Sequence, residues 1–225
     1  MRCLVVICPA MLREKWRDEL RNRFGVVARI VDAKDFQDEL ANSDHSGDGK
    51  AWILSYQAAR PPKEWSPTAK KPVRLSTRWQ LADYLHSNAD SEPIIDMVIF
   101  DEAHYMRNTE TASWQLADLL RDVSAYQLML SATPINLKNE DLFNLLRLLD
   151  PDHFSSLDDF QRMIEANKPL VEARDAVLNK SVGVDAILSG WMPSPCTRHS
   201  VSHCSSRQFL MIPYGGSSLE GLLPR

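Results

Sequence analysis

The feature that most constrains this chain is the run Cys3-Leu4-Val5-Val6-Ile7, five residues without a polar side chain. A run this short and unbroken fits a strand covered on both faces, as in a parallel sheet, and not a strand with one wet face. Pro9 then opens a helix on which Leu12, Trp16, Leu20 and Phe24 recur every four residues as one apolar stripe, and Gly25 stops it. The alternation continues. Residues 26–31, 51–54, 94–100 and 127–130 read as strands. Between and after them come helix patterns: Leu81, Tyr84 and Leu85 behind a Thr77/Gln80 capping box, then Leu116, Leu119, Leu120 and Val123 on one face. Leu142, Leu145, Leu146 and Leu149 come next, with Asn139 as cap and Pro151 beyond the end. Ser156 with Asp159 caps a last helix through Phe160 and Ile164. Strands alternating with amphipathic helices predict an α/β fold of three layers, a parallel sheet between helices.

Composition narrows the function classes. The chain has 225 residues, 44% hydrophobic and 25% charged, room for one domain with an appendage. A net charge of -4 excludes a wholly basic nucleic-acid binder, so any such contact rests on a local patch. Four cysteines, Cys3, Cys8, Cys196 and Cys204, are too few and too scattered for a disulfide framework. They predict a reduced, cytoplasmic setting, and no run is long enough to span a membrane. Composition shifts near Ser189. Residues 1–189 read as the folded lobe and residues 190–225, with Glu220 their one acid, as a disordered tail or a stretch from a shifted reading frame. Cys196, His199, His203 and Cys204 imitate zinc-ligand spacing, but they sit too close together and read as coincidence.

In parallel sheets ligands gather at the carboxyl ends of the strands. The strands here run into Cys8-Pro9-Ala10, Ser55-Tyr56-Gln57, Asp101-Glu102-Ala103-His104 and Ser131-Ala132-Thr133-Pro134. An aspartate at a strand tip can hold Mg2+, commonly through water, and an adjacent glutamate can poise a nucleophilic water. Alone, an Asp-Glu pair reads as a solvated junction, and Ser and Thr before a proline read as a turn. One helix apart and in this order, the two motifs are far more specific.

These stretches resemble the Swi/Snf branch of the superfamily-two helicase-like ATPases. Asp101-Glu102-Ala103-His104 matches the family's DEAH box. Residues 130–134, continuing through Ile135-Asn136 to Asp141-Leu142-Phe143, resemble its third motif. Val5-Val6-Ile7-Cys8-Pro9-Ala10, then Leu12 and Trp16, resemble the segment after the phosphate-binding helix, and Ile53-Leu54-Ser55-Tyr56 the strand before the acidic box. The resemblance covers residues 3–179. It implies a RecA-like lobe that binds ATP and Mg2+ and tracks along duplex DNA. Asp101 would then ligate Mg2+, Glu102 would act as the catalytic base, and His104 would join them at the ATP site. Ser131, Ala132 and Thr133 would couple hydrolysis to movement. Pro9 and Ser55 would face nucleic acid.

The family's glycine-rich loop has no counterpart here. Gly47-Asp48-Gly49-Lys50 lacks the spacing, and Ala51 stands where the metal-binding hydroxyl belongs. The expectation is a lobe without its first strand and phosphate-loop helix, inactive by itself. A second chain or lobe would supply the missing motifs. The rival readings are a non-catalytic nucleic-acid or partner-binding module, a half-enzyme completed in trans, and a decayed fragment. Arg60, Lys63, Lys70, Lys71, Arg74 and Arg78 form a proline-rich basic stretch, read equally as a track for the phosphate backbone or as a solvated loop. Trp16, Trp52, Trp79 and Trp114 read as core.

Overall fold

The computed structural model describes residues 3–42, 49–131, 138–178 and 212–213. Its backbone packing divides into one unit of Met1–His153 with Phe209–Arg225 and a second of Phe154–Gln208.

In the first unit the strands are β1 (Cys3–Cys8), β2 (Ala28–Ile30), β3 (Lys50–Ser55), β4 (Ile95–Phe100) and β5 (Ser124–Ser131). They lie in the order β2-β3-β1-β4-β5, all parallel. The apolar run that opens the sequence is the central strand, and all six residues of β1 are buried. The helices are α1 (Arg13–Phe24), α2 (Ala33–Ala41), the single turn α3 (Tyr56–Ala59), α4 (Thr77–Ser87), α5 (Ala112–Asp122) and α6 (Asn139–Leu149).

Alternate side chains of the strands feed two cores. Val5, Ile7, Trp52, Leu54, Val98, Phe100 and Met129 pack under Phe36 and Leu40 of α2, Leu81 and Leu85 of α4, Leu116 and Leu120 of α5, and Leu145 and Leu148 of α6. On the other face Leu4, Val6, Cys8, Ala51, Ile53, Ile99 and Leu130 pack under α1 through Leu20, Leu12 and Trp16. The three-layer α/β fold expected from the sequence is the one observed.

Local details depart from the sequence reading. Ser76, not Thr77, caps α4, its Oγ accepting from the Trp79 amide at 3.3 Å; Thr77 is already the first helical residue. Asn139 likewise lies inside α6, whose N-cap is Lys138 without a side-chain bond. Pro9 leads not into α1 directly but into a 3-10 turn, Ala10–Leu12. Phe24 leaves the apolar stripe and is 72% exposed. Gly25 ends α1 as expected, with φ 66°, a left-handed position that glycine takes without a Cβ penalty. The strand expected over 26–31 shrinks to three residues. The helix α2 is an addition to the sequence reading, with Asp32 capping it by accepting from the Lys34 and Asp35 amides.

The second unit contains α7 (Leu157–Leu178). Its start has the expected Ser156/Asp159 cap, with the Asp159 amide donating to Ser156 Oγ at 3.3 Å. Pro169 lies inside it. Of the tail expected to be irregular, the described residues are Ile212–Pro213, a two-residue strand β6 parallel to Leu130–Ser131 and part of the first unit. The zinc-like Cys196 to Cys204 lies outside the described residues.

Candidate nucleotide and nucleic-acid site

Register decides what meets at the carboxyl edge. Cys8 pairs with Ser55, Ile7 with Phe100, and Phe100 with Met129. Cys8, Ser55 and Asp101 therefore emerge at neighbouring points of one edge, with Ser131 at the tip of the next strand. Ser55, Asp101 and Ser131 are candidates from the sequence, and Cys8 stands next to the candidate Pro9. Ala132 and Thr133 lie outside the described residues, so of that motif only Ser131, buried at the end of β5, is placed.

Asp101 is held on every side. Its amide donates to the Ile7 carbonyl at 2.9 Å, prolonging the ladder one residue past β4. Its carbonyl accepts from the Tyr56 hydroxyl at 2.9 Å. Its Oδ1 accepts from the Glu102 amide at 2.9 Å, and its Oδ2 accepts from the Trp16 indole Nε1 at 2.7 Å. Trp16, read from the sequence as core, thus has a polar contact there. Its place on the α1 stripe was legible, but which way its N–H points was not. Trp52 and Trp79 are buried, as read, and Trp114 is half-buried.

Glu102 turns the chain out of the sheet. It has φ 55° and ψ 52°, the one left-handed non-glycine among the described residues. The 3-10 turn Ala103–Met106 comes directly after it, anchored by buried Ala103 and Met106. Glu102 Oε2 lies 3.0 Å from His104 Nδ1, close enough for an ion pair but outside hydrogen-bonding geometry. The His104 ring stacks on Tyr105 at 4.5 Å between centroids, and Tyr105 leans on Tyr56 at 5.5 Å.

The neighbours are kept neutral. Burial, and then the Asp101 charge, push the Cys8 thiol from its ordinary 9.0 up to about 12, against a smaller opposing pull from Arg13. Burial and the Asp101 charge likewise push the Tyr56 phenol well above 10.0. Neither Cys8 nor Tyr56 therefore adds a negative charge to this edge at neutral pH. Mg2+ at phosphate sites takes one or two protein carboxylates, with water and phosphate oxygens completing its shell. Asp101 and Glu102 offer that share, and among the described residues no group of three or more His, Cys, Asp or Glu side chains forms a cage. The donor set fits Mg2+ presented with a phosphate ligand.

Pro9 caps the turn that leads from β1 toward α1, and Ser55 Oγ accepts from the Ala58 amide at 3.2 Å, capping α3. In the basic stretch Lys70, Lys71 and Arg74 are all exposed. Lys71 Nζ is bound to Asp83 Oδ2 at 2.7 Å, and the buried Trp65 donates to Asp83 Oδ1 at 2.9 Å. Burial raises the Asp83 carboxyl, but bonds from Lys71 and Trp65 outweigh it and hold it below its ordinary 3.8. This stretch is pinned onto α4 at two points and is not a free loop.

A doubly covered parallel sheet with its polar side chains at the carboxyl edge places the chain among the α/β proteins that bind ligands at that edge. Within that class, the chain belongs to the SNF2-related domain family, whose model matches residues 2–183. It is 27% identical over 197 residues to the RNA polymerase-associated protein RapA of Pseudomonas aeruginosa (strain LESB58), covering 85% of this chain and 18% of that protein. It is 40% identical over 80 residues to the uncharacterized ATP-dependent helicase YqhH of Bacillus subtilis (strain 168), covering 36% of this chain and 14% of that protein. Among solved structures, the Sulfolobus solfataricus SWI2/SNF2 ATPase core in complex with dsDNA aligns with a TM-score of 0.44 and 18% identity, covering 71% of this chain and 27% of that one. The chain spans less than a fifth of the length of the curated relatives it matches.

Proposed function

We propose that this chain is part of the first motor lobe of an ATP-driven translocase acting on duplex DNA. The observation that carries the reading is the Asp101–Glu102 pair at the carboxyl edge, with Ser131 at the tip of the adjacent strand. Bound ATP and Mg2+ would supply the terminal phosphate and the charge that polarises it. Asp101, fixed through both oxygens, would face the metal. Glu102 would orient the attacking water and hold its proton, with His104 beside its carboxylate. Ser131, with Thr133, would sense the state of the acidic turn. Pro9, Ser55 and the basic stretch would face the DNA.

The 225 residues contain no Gly-x-x-x-x-Gly-Lys-Ser/Thr run. A backbone cradle and a lysine on the phosphates are what hold the nucleotide in such motors. A second lobe supplies the arginine finger, worth about 10³–10⁵ in rate in related phosphoryl transfers. On this reading the chain alone hydrolyses ATP negligibly and awaits those parts from another chain or lobe. The same gap favours a second reading, a module that binds nucleic acid without hydrolysis.

The test is calorimetry of ATP with Mg2+ on the purified chain, alongside phosphate release. The expected result is binding too weak to saturate at millimolar ATP, and no turnover. A turnover rate abolished by Glu102→Gln would overturn the inactivity.

A further inference from the structure

The Trp16 indole is the one side chain outside the acidic turn itself that the described structure bonds to the Asp101 carboxylate. The bond is short, 2.7 Å, and its acceptor is a carboxylate oxygen, so it is charge-assisted. The two residues are 85 positions apart and lie on different layers, α1 and the end of β4. The partly buried indole packs against the core under α1, which fixes the direction of its N–H. The segment between Pro9 and Trp16 carries two further hydrogen bonds. The Leu12 amide donates to the Pro9 carbonyl at 2.9 Å, and Arg13 Nε donates to the Ala10 carbonyl at 3.1 Å.

We propose that Trp16 is a positioning residue for Asp101, holding its carboxylate in one orientation from α1 and tying the Pro9 turn mechanically to the acidic site. With Oδ1 on the Glu102 amide and Oδ2 on the indole, the carboxylate cannot rotate without losing both bonds. Donors that orient a ligating carboxylate in this way commonly change metal affinity by about 10–100-fold when removed. The metal consequence rests on the reading of Asp101 given above; the positioning itself does not.

Both parts are read on the full chain. The six tryptophans give six indole N–H resonances in 15N-labelled protein, and Trp16→Phe, which keeps an apolar ring but no donor, identifies one of them. That resonance is expected downfield, as befits a bond to a carboxylate, and is expected to move in Asp101→Ala. Trp52 and Trp65 are bonded to Glu39 and Asp83, so theirs stay in place. Should Trp16→Phe not fold, Asp101→Ala alone still decides, by moving a single indole resonance or none; none overturns the proposal. Mn2+ is then titrated, its paramagnetic broadening reporting occupancy near residue 16. About tenfold weaker Mn2+ binding in Trp16→Phe is expected. Equal affinity with broadening still centred on the acidic turn overturns the positioning role. Absence of any broadening there, with the indole shift intact, leaves the tie between Trp16 and Asp101 standing and shows that the two carboxylates do not hold the metal without a phosphate ligand.

Discussion

Glu102 occupies a backbone conformation that costs an L-residue about 1–2 kcal/mol. Glycine adopts it without a Cβ penalty, at some cost in unfolded-chain entropy. Glu102→Gly is therefore expected to stabilise the chain by about 1 kcal/mol in urea unfolding while removing the carboxylate. Such strain concentrates at sites where geometry matters more than stability. Here Ala103 and Met106 enter the core while Glu102 and His104 stay half-buried beside it. Cys8 offers a second test at this scale. It is fully buried, and its pKa is raised to about 12. Iodoacetamide at pH 8 should leave Cys8 unmodified in the native chain and alkylate it in urea, as peptide mass mapping would show. The linkage has a definite sign. The folded thiol keeps its proton above pH 9, where the unfolded thiol loses it, so this group's contribution is intact below pH 9 and is lost as pH rises toward 12.

At the scale of elements, caps separate what a pattern says from what a backbone does. Ser76→Ala should cost about 1 kcal/mol, and Thr77→Ala much less, because only the Ser76 hydroxyl accepts an orphan amide of α4. Urea titration of the two variants distinguishes them. The pattern points to Thr77 because Gln80 stands three residues on, yet Ser76 bears the same relation to Trp79, and only the extended backbone at Ser76 resolves the choice. The same limit explains α2. Asp32, Phe36 and Leu40 carry its signal, but apolar Val26, Val27 and Val31 just before them suggest a longer strand. The apolar elements β1, β3 and β4 were legible because strands buried on both faces tolerate almost nothing else, whereas β5, with Ser124 to Gln127 polar or partly exposed, showed only its apolar second half. The acidic pair was legible because it directly succeeds such a strand. Trp16's partner was not, since a bond spanning 85 residues leaves no local periodicity to read.

For the whole molecule, a net charge of -4 means that attraction to DNA must be local. Lys70 and Arg74 have no ion pair among the described residues, whereas Lys71 is engaged by Asp83. On the proposed function, neutralising Lys70 and Arg74 together should flatten the dependence of log K for duplex DNA on log salt by about 0.9 for each phosphate they neutralise. Lys71→Ala should act mainly through stability, by releasing Asp83. Fluorescence anisotropy across a series of salt concentrations measures the first and urea unfolding the second. An unchanged slope would mean that this stretch is a solvated surface and that DNA meets the lobe elsewhere.

The position of β1 at the centre of the sheet has a consequence for the order in which the molecule is made. Its partners are β3 and β4, and Leu4 faces Met97, 93 residues later in synthesis. At about 5–20 residues per second, the most apolar strand of the chain waits roughly 5–20 s for that neighbour to be translated. Until then the edge of β1 that β4 covers is open, although β3 and the helix α1 are already made and can pair with it and pack on it. Expression yield should therefore respond to chaperone supply during translation more than to the stability of the finished fold.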